Sequence, residues 1–139
     1  MASNTRILLA STALVLTCAG SVGSEPLPGS EWVPVELAGA PFEQTSGKEV
    51  FLQFRSDGLY FGNGGCNSVR GSFVVNGDAI LFGPGAATMM ACPEPAMKTE
   101  ISFFQVISLI RAFERDGTTL SLFDAEGSIV LRMQQRDTD

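Results

Sequence analysis

The sequence predicts an α+β fold: a strongly curved antiparallel β-sheet, a partial barrel, wrapped around one amphipathic α-helix. Most apolar runs are short and separated by hairpin signals such as Asn76-Gly77, and hairpin connections give antiparallel pairing. One stretch, residues 96–113, lacks glycine and proline and repeats apolar residues at helical spacing. A sheet curved around that helix would bury the ten phenylalanines without a second sheet.

The start of the chain has the order of a secretory signal. Arg6 supplies a positive charge, residues 7–16 are nearly all apolar, and small residues follow. The apolar run is too short for a bilayer, which needs about 20 residues. Residues 1–21 are therefore expected to be a signal peptide, with an uncleaved anchor as the alternative. Lipidation at Cys18 and plain cleavage near residue 21 both stay open, and either leaves Cys18 outside the mature fold.

Removal of residues 1–21 leaves 8 basic and 15 acidic residues, a formal charge of −7. Such a surface repels phosphate backbones, and the chain has no basic run to reverse this effect. We therefore expect no nucleic-acid partner, and contact with a membrane only through a lipid on Cys18.

The folded domain is predicted to span residues 31–134. Residues 22–30 contain glycine, serine and two prolines and predict a flexible tether, and residues 135–139 are expected to be loose. The first strand, residues 32–37, is predicted to lie at a sheet edge, because Pro34 cannot donate a hydrogen bond. Its residue Trp32 is expected in the core, with ligand stacking as the alternative.

The remaining elements follow from apolar runs and turns. The predicted strands are residues 50–54, 59–61, 69–75, 79–82, 86–91, 120–123 and 129–133. Gly83-Pro84-Gly85 is expected to end a strand. In the strand predicted next, Met89 and Met90 should point to opposite faces, one of them into the core. Pro93-Glu94-Pro95 predicts the start of the helix.

Cys66 and Cys92 form the expected disulfide of the mature chain, since an even cysteine count in an exported protein favours a bridge. The bridge would close a loop of 27 residues, which stabilises a fold by roughly 3.5 kcal/mol. A redox or metal pair is the alternative. The chain has no histidine and no C-x-x-C spacing, and structural zinc sites need four ligands.

Glu100 points toward the apolar face of the predicted helix, close to Phe104 and Ile107 in angle. A buried carboxylate needs hydrogen bonds. We expect it to accept them from the backbone amides of Gly64-Gly65-Cys66 or from Asn67, which would tie the helix to the glycine turn (residues 62–67). The alternative is a carboxylate that leans into solvent. The expected tie thus comprises Glu100, Asn67 and the glycines of the turn, Gly62, Gly64 and Gly65. Asn67 is also expected to cap a turn with its side chain.

The order of these motifs resembles the META domain (heat-shock HslJ-like) family. The motifs are Trp32, the G-x-G-G-C-N turn at residues 62–67, T-x-M-A-C at residues 88–92, Glu100 followed by aromatic residues, and a terminal hairpin at residues 120–127. The resemblance implies a small bacterial envelope protein, often a lipoprotein, associated with stress or antibiotic tolerance. It brings no catalytic residues.

The expected function is therefore non-enzymatic: a binding module of the cell envelope, in the periplasm or lipid-anchored, with an envelope component as partner. No motif places a nucleophile, base, metal or cofactor site. An inhibitor of a secreted hydrolase, either a protease or a lysozyme, is the main alternative. A carrier of a small ligand is the weaker one.

Intact-mass analysis of protein from the producing cell tests the export prediction. We expect a mature chain that begins near residue 21 or at an acylated Cys18, and that lacks the two hydrogens lost in one disulfide. An unprocessed chain with two reactive thiols before denaturation would contradict both the compartment and the bridge.

Overall fold

The computed structural model describes residues 26–45 and 47–136, and in this part of the chain it contains nine strands and one helix. The strands are β1 (Glu31–Leu37), β2 (Ala40–Pro41), β3 (Phe51–Phe54), β4 (Leu59–Asn63), β5 (Ser68–Asn76), β6 (Ala79–Ala87), β7 (Ala112–Asp116), β8 (Thr119–Phe123) and β9 (Ile129–Gln135), and the helix is α1 (Ala96–Leu109). The predicted α+β class with a curved antiparallel sheet is confirmed. Residues 1–21 and Cys18, the subject of the export predictions, lie outside the described residues.

All strand pairs are antiparallel, and they form one sheet in the order β2-β1-β3-β4-β5-β6-β7-β8-β9. An additional pairing of β1 with β9 joins the two ends, so the hydrogen bonds run in a ring. The pairing of β6 with β7 is confined to Ala79 and Ala112. The ring is therefore weakest there, which gives a barrel-like sheet with one poorly paired seam.

The core lies between the inner face of the sheet and one side of α1. In β3, β4 and β8 buried residues tend to alternate with more exposed ones, as expected where one face of a sheet is covered. The helix contributes Phe103, Val106 and Ile107 to the same cluster. The fully buried large side chains include Trp32, Leu52, Phe54, Phe103, Leu122, Leu131 and Met133. Trp32 is thus a core residue, as expected.

Two predictions based on proline are wrong. Strand β6 continues through Gly83-Pro84-Gly85, because Gly83 and Pro84 lie opposite the single residue Ser72 in a bulge. Strand β1 is not at an edge, since it pairs with β3, β9 and β2. Pro34 is tolerated because β3 pairs only with Glu31 and Trp32, and a bulge interrupts the β9 ladder just after the proline.

The helix ends earlier than predicted. Its C-cap, Ile110, has extended backbone angles (φ −68°, ψ 132°), and residues 112–116 form β7, which the sequence analysis missed. The Arg111 amide donates to the Phe123 carbonyl, so pairing with β8 takes over immediately. Phe113 is buried from the strand instead of the helix. Tertiary pairing here overrides a local sequence with no helix-breaking residue.

Both predicted loose ends belong partly to the fold. Leu27 lies in the predicted tether but is 1% exposed, and the Gly29 amide donates to the Phe54 carbonyl. The Pro26 carbonyl accepts a hydrogen bond from Arg115. At the other end, β9 extends to Gln135. The tether prediction is therefore wrong for residues 26–30, because an apolar side chain there fills the core.

Replacing Phe103 with alanine should cost about 3–5 kcal/mol, because the side chain is fully buried and its loss leaves a cavity. Ile101→Ala on the same helix is the matched control. Ile101 is 54% exposed, so its truncation should change stability by less than about 1 kcal/mol. Urea unfolding of both variants measures the difference. Equal losses would show that α1 does not bury the face described here.

Candidate functional site

The Glu100 carboxylate lies beneath the glycine turn, in the second turn of α1. The residue is 4% exposed. Its Oε2 atom accepts hydrogen bonds from the backbone amides of Cys66 (3.0 Å) and Asn67 (2.5 Å), and its Oε1 atom accepts one from Asn67 Nδ2 (2.6 Å). The tie expected between helix and turn is therefore present. Three donors compensate for the removal of the charge from water.

The three glycines of this turn are required for close packing or for backbone conformation. A Cβ atom on Gly64 would lie 2.7 Å from Glu100 Cγ and 2.9 Å from Phe104 Cζ. Gly65 has a φ of +114°, a conformation that L side chains rarely adopt. Gly62 belongs to β4, where a Cβ atom would collide with the Phe51 carbonyl oxygen. Each predicted glycine therefore serves close packing or turn geometry.

Asn67 connects the turn to residues 88–90 instead of capping its own turn. Its Oδ1 atom accepts from the Met90 amide (2.7 Å) and the Thr88 hydroxyl (2.9 Å). Its Nδ2 group donates to the Met90 carbonyl (3.1 Å) and to Glu100. The predicted capping role belongs to Asn63, whose Oδ1 accepts from the Gly65 amide at 2.8 Å. The amide group of Asn67 has thus used all of its ordinary hydrogen-bonding capacity.

The disulfide between Cys66 and Cys92 is present, with 6.0 Å between the two Cα atoms. It fixes the C-terminal end of residues 88–92, whose Thr88 and Met90 bind Asn67. The Thr88 amide also donates to the Ser68 carbonyl, and the Thr88 hydroxyl accepts from the Ser68 amide. Residues 88–92, which we call the Met89 loop, are therefore attached to the body on both sides of Met89.

The Met89 loop is not the strand that the sequence analysis predicts. Strand β6 ends at Ala87, and residues 88–91 have no regular structure. Met89 is 95% exposed and Met90 is 46% exposed, so neither side chain reaches the core. The prediction failed because Thr88, which bonds to Ser68 at the start of β5, is the last residue to pair with a strand backbone. Beyond it, the backbone groups of Met90 bond to the side chain of Asn67.

Thr88 belongs to the T-x-M-A-C motif, but the sequence does not indicate its role in holding the Met89 loop. No local pattern could have revealed that role, because its partners Asn67 and Ser68 lie far away in sequence.

Among residues 26–45 and 47–136, no three metal-ligating side chains lie close enough to hold an ion. No helix in the same part of the chain has the length and apolar character needed to cross a membrane.

Comparison with known proteins adds a family and a fold. The family model for the META domain matches residues 25–137. No curated protein sequence matches the chain. The chain is similar to a protein from Burkholderia xenovorans solved by NMR, with 22% identity over 81% of this chain and 85% of that one, and a TM-score of 0.66.

A second solved structure extends the likeness. The crystal structure of a DUF4847 family protein from Bacteroides vulgatus ATCC 8482 is 12% identical, with a TM-score of 0.57. The match covers 81% of this chain and 96% of that one. At these identities the structural likeness concerns the fold alone.

Replacing Glu100 with glutamine should destabilise the fold by about 2–4 kcal/mol. With the glutamine oxygen toward the two backbone amides, its NH₂ group faces Asn67 Nδ2, donor against donor. Turning the Asn67 amide around would break its bonds to Thr88 and Met90. No orientation therefore satisfies every group. Urea unfolding measures the change, and Glu126→Gln, on the exposed turn after β8, is the control with an expected change below about 0.5 kcal/mol. Equal stability of the two variants would contradict the tie.

Proposed function

Because the chain belongs to the META domain family, we propose that it is a non-enzymatic protein of the bacterial cell envelope that acts by binding another envelope component. A role in envelope integrity under stress is part of this proposal, and follows from the family resemblance.

The proposal rests on the hydrogen bonds that engage the buried Glu100 carboxylate. Glu100 is the one buried charged side chain among the described residues, and both of its oxygens accept hydrogen bonds from the turn and from Asn67. A catalytic acid or base must come within hydrogen-bond reach of a substrate. The turn that Glu100 holds covers its carboxylate, so the carboxylate stabilises the fold and is out of reach of a substrate.

The packing of the core supports action at the surface. Trp32, Phe54 and Phe103 are fully buried in the cluster between sheet and helix. The small-ligand carrier considered above would need an interior space of some hundreds of Å³. Side chains fill the centre of this cluster, and the cleft beside it, lined by Tyr60, Phe82 and Ile107, is open to solvent. This favours a binding module over a carrier that encloses its ligand.

Export is supported by two independent features. The disulfide needs an oxidising compartment to persist, and the first 21 residues have the order of a secretory signal. We place the mature protein in the periplasm, or at the membrane surface through a lipid on Cys18. The dispersed acidic charge favours a protein or envelope partner over nucleic acid.

Photo-crosslinking from single exposed positions tests the proposal. One photoreactive side chain replaces Leu59, Leu81 or Met89, which are 41%, 55% and 95% exposed, in the full-length chain made by the producing bacterium. A binding surface covers part of the molecule, so discrete adducts with an envelope component should form from some positions and not from others. In isolated envelopes, an excess of unmodified mature protein should compete the adducts away.

The absence of discrete adducts at all three positions would contradict the proposal. Identical adducts from every position would contradict it as well, because they report random collision instead of a binding surface.

A further inference from the structure

The exposure of Met89 has no explanation in the folding of this chain. Burying a methionine side chain stabilises a protein by roughly 1.5–3 kcal/mol, yet this one is 95% exposed at the tip of its loop. Its immediate neighbours are held firmly: Thr88 and Met90 both bind Asn67. A fixed backbone that presents a flexible apolar side chain to solvent indicates a surface built for contact.

The loop is held in its conformation before any partner arrives. Asn67 holds it from below, and Glu100 in turn holds Asn67 through the backbone amide and the side chain. The disulfide of Cys92 fixes the C-terminal side. Binding through such a segment avoids most of the entropy cost of ordering a flexible loop.

The backbone at the tip is available for pairing. Among the described residues, the N–H and C=O groups of Met89 itself make no hydrogen bond, whereas both groups of Met90 are used. The loop is neither helix nor strand, and it carries no charged residue between positions 88 and 92. The central residue of this segment has a free N–H, a free C=O and an exposed side chain, and both of its neighbours are held. Such a segment can enter a protease cleft as a substrate does.

We propose that the Met89 loop is a substrate-like inhibitory loop for a secreted serine protease whose specificity pocket accepts an unbranched apolar side chain, with Met89 entering that pocket. The inference rests on the proposed function, because both require action by surface binding, and it names the partner class. Methionine suits such a pocket because it is flexible and polarizable. A pocket built for lysine or arginine contains an acidic side chain, and a methionine would leave that charge unpaired.

The structure also accounts for inhibition instead of simple cleavage. In the protease reaction, the serine oxygen bonds to the Met89 carbonyl carbon, and the bond from that carbon to the Met90 nitrogen breaks. The serine proton passes through the protease histidine to the released Met90 amine. That amine stays in place, because Asn67 and the nearby Cys92 bridge hold its segment. Re-formation of the peptide bond therefore competes with hydrolysis, since the amine remains at high effective concentration.

Inhibition assays with the oxidised mature protein test the proposal. Chymotrypsin and subtilisin, which accept apolar side chains, should be inhibited at near-stoichiometric amounts, and trypsin should not. Met89→Ala should weaken inhibition by at least about 30-fold, the loss typical of a central anchor. Leu81→Ala, another exposed apolar residue, is the control and should leave inhibition unchanged. Met89→Lys should transfer inhibition to trypsin.

A second measurement separates inhibitor from substrate. Reduction of the Cys66–Cys92 bridge should turn the loop into a substrate that is cleaved between Met89 and Met90, detected by mass spectrometry. Rapid cleavage of the oxidised protein with loss of inhibition would overturn the proposal. The proposal would also be overturned if neither chymotrypsin nor subtilisin were inhibited. The envelope-binding function would still stand if photo-crosslinking found a partner from Leu59 or Leu81, so the two failures are distinguishable.

Discussion

The buried carboxylate of Glu100 is the interaction on which the rest of the structure depends. A charge removed from water costs several kcal/mol unless donors surround it. Here two backbone amides of the glycine turn and the side chain of Asn67 provide them. Because these donors are directional, the helix cannot shift against the turn without leaving the charge unpaired. Gly64 follows from the same constraint, since a Cβ atom on it would collide with Glu100 itself.

Asn67 links the Glu100 carboxylate to a loop on the molecular surface. That residue binds the helix on one side and the Met89 loop on the other, and it uses every donor and acceptor of its amide group. The bridge between Cys66 and Cys92 holds the same loop independently. One tie depends on hydrogen bonds and the other on a covalent bond. The buried Glu100 and Asn67 thus stabilise the fold, and the side chain that this loop exposes to solvent is the apolar Met89.

Much of the site could be predicted because its parts are locally marked. Glu100 falls on the apolar face of a recognisable helix, so its need for donors is visible in the sequence. The predicted bond from Asn67 to Glu100 is present. The predicted capping role of Asn67 is wrong, because asparagine ordinarily bonds within its own turn and its other partners, Thr88 and Met90, are distant in sequence. Met89 was assigned to a strand for a similar reason: its segment is apolar, and only the contacts around it reveal that it leaves the sheet.

The sequence by itself determined the class of the fold, several of its hairpins, the disulfide and the tie between helix and glycine turn. Periodicity, turn residues and an even cysteine count are local quantities, and they are fixed before the chain folds. Tertiary structure decided where α1 stops, how β6 passes Pro84, the burial of Leu27 and the exposure of Met89. These outcomes depend on which distant backbone groups and side chains meet, and ladder pairing or core filling then outweighs a local preference of less than about 1 kcal/mol per residue.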